Sequence, residues 1–333
     1  MKQKYAVGIL IIIVAVVSFG FVYEKSTSKH VASNNNLAEV SLRLKWVFDP
    51  GFAGEMVADK LGFFRENGLD VSIRQGGFEA DPIKLVASGS DTFGVTGADN
   101  FLLAREQGVP IVAFAAGYIE TPVVYYVRRD SAIVSPQDFI GKKVGYQAGQ
   151  DTATVYEDML DTVHVNRNEI SEVPVQYDFG VFLNGQVDVW PGYAAAQSYI
   201  LEQQNIPYRT LVPKDFGVSH MGTVYFTSEE TLKNHPEWVS AFVKSLIRGW
   251  AYTYDHPQES IPAIVSYDVK TLTPEYVAFA LEKQKESIKP GGRKFCVFTE
   301  ENWQSLYDSL LKRGAIKSTL DLQAAFTEHF LNN

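Results

Sequence analysis

The chain has 333 residues, 46% of them hydrophobic, and a formal net charge of −9. That length exceeds what one core usually organises, so two lobes are the expectation, and the negative balance with no Lys/Arg-rich block after residue 30 argues against a nucleic-acid partner. The lone cysteine, Cys296, provides neither a disulfide framework nor a cysteine-based metal cluster.

At the N-terminus Met1-Lys2-Gln3-Lys4 precedes an uncharged, mostly apolar run from Tyr5 to Val22, the pattern of a basic region followed by an export segment. Ser18-Phe19-Gly20 offers a small-x-small cleavage site, while the run approaches the ~20 residues that span a bilayer. Residues 1–23 therefore read as a cleaved signal or as a membrane anchor at residues 5–23. With Lys2 and Lys4 ahead of the run, the remainder is placed outside the membrane, exported. No cysteine stands directly after the segment for lipidation. Residues 24–36, rich in Lys, Ser, Thr and Asn, read as a polar tether.

The globular part starts near Leu37. An apolar strand runs from Val40 to Val47, then come a helical pattern from Phe52 to Asn67, an alternating run Leu69 to Arg74, a helix Asp81 to Ser88 and a strand Thr92 to Thr96. A helix Asp99 to Gln107 and strands Pro110 to Ala116 and Pro122 to Val127 continue the series. A second unit follows. It has a strand Lys143 to Tyr146, a helix opening near Asp151, a strand Glu172 to Val175, a helix through Val181 and Phe182, a strand Val187 to Trp190, a helix Ala194 to Gln204 and a strand Tyr208 to Leu211. After a strand Met221 to Phe226 everything reads as helix: Glu229 to Lys233, Glu237 to Tyr254, Glu259 to Ile264, Pro274 to Glu286 and Glu300 to Lys312.

This alternation predicts an α/β protein of two lobes, each a mostly parallel sheet with helices on both faces. The similar strands Pro122 to Val127 and Met221 to Phe226 flank the second lobe and suggest a two-strand hinge. Lobe one then comprises residues 37–122 plus 224–333 and lobe two residues 123–223.

Motifs for chemistry are scarce. The histidines at 30, 164, 220, 235, 256 and 329 form no i,i+4 pair and no His-Glu-x-x-His, and there is no Gly-x-Ser-x-Gly elbow or phosphate-binding Gly-x4-Gly-Lys-Ser/Thr loop. "VGYQAG" fails the dinucleotide spacing. No cofactor, no metal and no catalytic residue is expected. Five turns that follow strands do combine aromatics or glycines with hydrogen-bonding side chains, at the sheet end where open α/β folds hold ligands. They supply the candidates Trp46, Phe48, Asp49, Gly76, Gly77, Thr96, Asp99, Tyr146, Gln147, Gly149, Trp190 and Tyr193. Backbone N–H groups at the helix start between Tyr146 and Thr152 could also hold an anionic or carbonyl group. Taken singly, an aromatic here is more readily a core residue than a ligand contact; five such turns together favour a ligand.

The stretches "LRLKWVFDPGFAGEMVADKLGFFRENGLDVSIRQGG", "GSDTFGVTGADNFLLAREQGVPIVAFAA", "DFIGKKVGYQAGQDT" and "GQVDVWPGY" resemble the thiamine-pyrimidine/nitrate/sulfonate type of ABC-transporter substrate-binding protein. The likeness covers roughly Leu42 to Thr231 and is more specific for the family than for its ligand. It implies a periplasmic-binding-protein type II fold that closes on a small molecule and delivers it to an ABC permease with its ATPase subunits, as a monomer in the periplasm. Some members instead make the thiamine pyrimidine, using a cysteine-rich motif that this chain lacks. In the members it resembles most, the ligand is a thiamine-precursor pyrimidine or a flavin held by stacked aromatics. On this reading Trp46 and Phe48 stack on a ligand ring while Asp49, and secondarily Asp99, accept from ring N–H groups. Capping of the following helix is the competing role for Asp49. A sulfonate or nitrate binder, a synthase-like enzyme and a solute sensor without a permease remain alternatives.

Overall fold

Apolar strands followed by amphipathic helices build two five-stranded sheets, seen in a computed structural model that describes residues 37–77, 79–317 and 319–331. The export segment and tether lie outside the described residues, as does Phe78. Among the described residues no helix is long and apolar enough to cross a membrane.

The first sheet takes β1 (Ala38–Arg43), β2 (Leu69–Arg74), β3 (Phe93–Gly97) and β4 (Ile111–Ala116), interleaved with α1 (Ala53–Lys60), α2 (Phe63–Glu66), α3 (Pro82–Ala87) and α4 (Ala98–Glu106). The single helix expected over Phe52 to Asn67 is split. A 3-10 turn, Pro50–Phe52, precedes α1, and Gly62 at φ +77° separates α1 from α2. Such a φ is sterically open to glycine and costly for a helix interior.

Lobe two contains β5 (Val123–Arg128), β6 (Lys143–Tyr146), α5 (Asp151–Thr162), β7 (Ser171–Pro174), α6 (Gly180–Leu183), β8 (Val189–Tyr193), α7 (Ala196–Gln203) and β9 (Tyr208–Leu211). The chain then returns through β10 (Thr223–Ser228) and finishes with α8 (Glu229–Asn234), α9 (Pro236–Asp255), α10 (Pro257–Val265), α11 (Pro274–Ile288) and α12 (Glu300–Lys312).

Strand orders are β2-β1-β3-β10-β4 and β7-β6-β8-β5-β9. In each sheet four strands share one direction and the fifth, β10 or β5, is antiparallel to both neighbours. That fifth strand is the first one laid down after the chain crosses between sheets, so both sheets are mixed. The crossing segments, 117–122 and 218–222, are paired with one another: Gly117 N donates to Thr223 O at 2.8 Å, Gly222 N to Tyr118 O at 2.9 Å and Thr121 N to His220 O at 2.8 Å.

Period-two alternation explains lobe two's double core. Val123, Tyr125 and Val127 of β5 enter one apolar cluster, Val124 and Tyr126 the other. In lobe one, Val239, Phe242, Val243, Leu246 and Trp250 form the buried stripe of α9 and pack with α1. The α1–α9 approach is close enough that a Cβ on Gly249 would stand 2.1 Å from Gly54 O.

Glu55 of α1 is fully buried in this core. Tyr225 donates to its Oε2 at 2.8 Å, and its Oε1 has no hydrogen-bond partner. Burial pushes its pKa from 4.5 to about 7, opposed by its own backbone N–H and by Tyr225. Because the folded-state value lies above the unfolded one, the stabilisation is complete below about pH 4.5 and is lost as pH rises through about 7. At ~1.4 kcal/mol per pKa unit the loss is about 3 kcal/mol. Urea denaturation of the Glu55→Gln variant should therefore fall less steeply than the parent between pH 5 and 8; parallel curves would refute the assignment.

Candidate functional site

The C-terminal ends of β1, β3, β6 and β8 face one cavity of about 600 Å³ between the lobes. Lobe one supplies Lys45, Trp46, Asp49, Gly77 and Thr96, and the crossing segment supplies Tyr118. Lobe two supplies Gln147, Gly149, Gln150, Asp151, Tyr177, Tyr193 and Gln197.

Its electrostatic centre is Lys45, two residues beyond β1. Its ammonium donates to Asp151 Oδ2 at 2.8 Å and to the Tyr193 hydroxyl at 2.8 Å, both on lobe two. Tyr193 also donates to Asp151. Asp99, buried at the start of α4, accepts from Thr154 Oγ1 of α5 at 2.7 Å and from its neighbour's backbone, Asn100 N, at 2.8 Å. Burial raises the Asp99 pKa and the nearby Asp151 charge adds to it, against Thr154 and Lys45. Lys45 thus pairs directly with Asp151 across the cleft and acts through its charge on Asp99 of its own lobe.

Trp46 and Tyr177 face each other from opposite lobes with ring centroids 4.5 Å apart and planes inclined by 37°. Tyr118 and Tyr193 meet edge to face at 6.1 Å. Tyr118 is held by its hydroxyl on Gln284 Oε1 at 2.8 Å, and Gln284 Nε2 is anchored on Pro50 O at 2.8 Å. Gln147 is oriented by Thr152 Oγ1 and by Gln176 O, at 2.8 and 2.6 Å. At the start of α5 the Asp151 side chain already accepts from Thr152 N at 3.1 Å, which places a carboxylate where an anion would otherwise dock. Among the described residues the lining holds no arginine, histidine or cysteine, and no cluster of His, Cys, Asp or Glu is arranged to hold a metal ion.

Seven of the sequence candidates line this cavity: Trp46, Asp49, Gly77, Thr96, Gln147, Gly149 and Tyr193. Asp49 does so while performing the capping role. Its Oδ1 accepts from Gly51 N at 2.8 Å and its Oδ2 from the Tyr276 hydroxyl at 2.8 Å, and desolvation raises its pKa against both bonds. The other five stand elsewhere. Phe48 turns edge-on to Tyr267, centroids 5.0 Å apart. Gly76 backs onto β1, where a Cβ would lie 1.8 Å from Leu44 O. Asp99 sits beneath the wall, as described above. Tyr146 donates to Glu157 at 2.7 Å under the Arg167 guanidinium. Trp190 lies in lobe two's core beside Phe179, because alternation along β8 turns it away from the cleft.

Sequence reasoning passed over Lys45, Tyr118, Asp151, Tyr177 and Gln197. Lys45 had a signal, a cation set between the apolar Leu44 and Trp46. Tyr118 and Tyr177 lie in connections between elements, where no periodicity marks them.

Residues 49–260 match the protein family described as NMT1/THI5 like. A formylaminopyrimidine-binding protein of Halalkalibacterium halodurans is 24% identical over 86% of this chain and 90% of its own length. A riboflavin-binding protein, RibY, of Chloroflexus aurantiacus is 23% identical over 89% and 86%. A 4-amino-5-hydroxymethyl-2-methylpyrimidine phosphate synthase of Legionella pneumophila is 23% identical over 90% and 95%. Among solved structures, the periplasmic aliphatic sulphonate-binding protein SsuA of Escherichia coli superposes with a TM-score of 0.68 at 18% identity, covering 86% of this chain and 91% of that one. The fold is therefore that of the bilobal periplasmic binding proteins.

Removing the shared cation tests the cross-lobe cluster. Lys45→Met leaves two carboxylates facing each other out of water and should cost about 3 kcal/mol in urea denaturation at neutral pH. Adding Asp151→Asn should recover part of that loss, since the pair is coupled. Additive losses in the double variant would contradict the coupling.

Proposed function

The chain belongs to the NMT1/THI5-like family, and we propose that it is the exported solute-binding receptor of an ABC importer whose ligand is a flat, N–H-bearing heteroaromatic, a thiamine-precursor pyrimidine or a flavin. One observation carries this reading: Trp46 and Tyr177 bring their rings together from opposite lobes at the mouth of a wall rich in carboxylates. At 4.5 Å the two rings touch each other, so a planar ligand enters as the lobes part, each ring then offering it a stacking face. The carboxylates of Asp49 and Asp151, with Asp99 beneath, outnumber Lys45 and leave acceptor capacity for ligand N–H groups. Lys84, the other basic side chain on the lining, is highly exposed and lies 3.7 Å from Asp81. An anion such as a sulfonate or nitrate would enter against this charge, with no arginine to receive it.

The pyrimidine- and riboflavin-binding names of two relatives support the same ligand class. The synthase relative suggests an enzyme; the polar groups of the described lining are amides, carboxylates, phenols, threonine hydroxyls, an indole and two lysines, with no histidine or cysteine, and they favour binding. Lobe two, residues 123–223, rotates on the rest about the chain near Pro122 and Val224, and closure brings its half of the wall over the ligand. The closed receptor then docks, as a monomer, on a permease at the periplasmic face.

A thermal-shift screen of pyrimidines, flavins, sulfonates and nitrate tests the ligand class. Heteroaromatics should raise the melting temperature, and sulfonates and nitrate should not. Calorimetry on Trp46→Ala should show about tenfold or greater weakening, in line with ~1–3 kcal/mol per stacked base. Undiminished binding by that variant would end the stacking role.

A further inference from the structure

The cavity continues past the rings. Asn100, Leu103, Ala104 and Gln107 recur at i, i+3, i+4 and i+7 along α4 and its C-cap, so they form one stripe. Phe101 and Leu102, between them in sequence, are fully buried in lobe one's core, while Ala104 joins the edge of that core and Leu103 packs against it, so the stripe borders the core on one side and the cavity on the other. It lines the same 600 Å³ cavity as Trp46 and Tyr193, together with Ile83 of α3 and Val109 beyond α4. At 1.5 Å of rise per residue it leads roughly 10 Å from the inter-lobe cleft along the helix. An amide stands at each end, Asn100 near the cleft and the exposed Gln107 at the outer limit, with Leu103 and Ala104 between. A single pyrimidine ring fills a small part of such a space, whose volume falls in the ~300–1,000 Å³ range of sites for drug-sized molecules.

We infer that the ligand carries an extended, uncharged substituent bearing hydroxyl or carbonyl groups, which lies in the α3–α4 groove while its ring occupies the Trp46–Tyr177 end. The inference rests on the heteroaromatic reading of the cleft and adds to it a second compartment. Three features assign the groove to the ligand: it is continuous with the cleft, its amides match hydroxyl or carbonyl groups, and its basic rim residue Lys84 has Asp81 close by, 3.7 Å away.

Isothermal titration calorimetry with riboflavin, with lumiflavin, which is the same ring system without the ribityl chain, and with 4-amino-5-hydroxymethyl-2-methylpyrimidine tests it. Riboflavin should bind at least about tenfold more tightly than either probe that lacks a tail, a difference of ~1.4 kcal/mol or more. Ala104→Phe, which fills the groove, should shrink that ratio to about threefold or less. Gln107→Ala, at an exposed C-cap position that tolerates truncation, should lower it in the same direction. Equal affinities for riboflavin and lumiflavin, or ratios unmoved in both variants, would overturn the second compartment while leaving the heteroaromatic reading intact. An unmoved ratio with loss of a dimer in light scattering would assign the groove to a second copy of the chain instead. Binding by none of the three probes would overturn both readings.

Discussion

A lysine ammonium withdrawn from water must be matched by acceptors, and Lys45 finds its matches on the other side of a cleft. Its stem belongs to the turn after β1, while Asp151 opens α5 and Tyr193 closes β8. The cost of desolvating these groups is offset only when both lobes are in place, so the ion pair ties the relative position of two separately cored units to one site. It also sets the sign of that site. Because the lysine is engaged by Asp151 and Tyr193, its positive charge is not on offer to an anionic ligand, and the neighbouring carboxylates give the wall its acceptor character.

The helix that carries Asp151 is held a second time on the far side. Glu157 and Asp158 of α5 receive Arg313, at the end of α12, and Ser309 donates to Asp158 at 2.6 Å. His220, from the returning crossing segment, contacts the same Asp158. Burial works to raise the Asp158 pKa, but His220, Arg313 and Ser309 together bring it below the ordinary value. Thus α5 is a strut with one end in the cleft and its middle beside the crossing segments. On the proposed closure, release of Asp151 from Lys45 would swing the strut about contacts close to the hinge, where displacement is least.

Much of this was legible in the sequence. Alternating strands and amphipathic helices located both sheets, and the aromatics of the turn after β1 and at the end of β8 pointed toward the cleft. What the sequence hid was direction. Trp190 and Tyr193 sit three positions apart on one strand and therefore face opposite sides, one into a core and one into the cavity. Phe48 and Tyr146 found neighbours, Tyr267 and Glu157, that tertiary structure alone brings near. Asp49 is both a cap and a wall residue, roles that the sequence presented as alternatives. Tyr118 and Tyr177 were invisible because connecting segments carry no periodic signal; Lys45 stood out between apolar neighbours, but its role did not, because its partners lie more than a hundred residues away.

The account stands on a ligand that binds between lobes able to move, and solution scattering reads that directly. With a heteroaromatic found to bind by calorimetry, the radius of gyration should fall on saturation as lobe two closes over the ring. An unchanged radius at full occupancy would contradict a cleft that closes on its ligand.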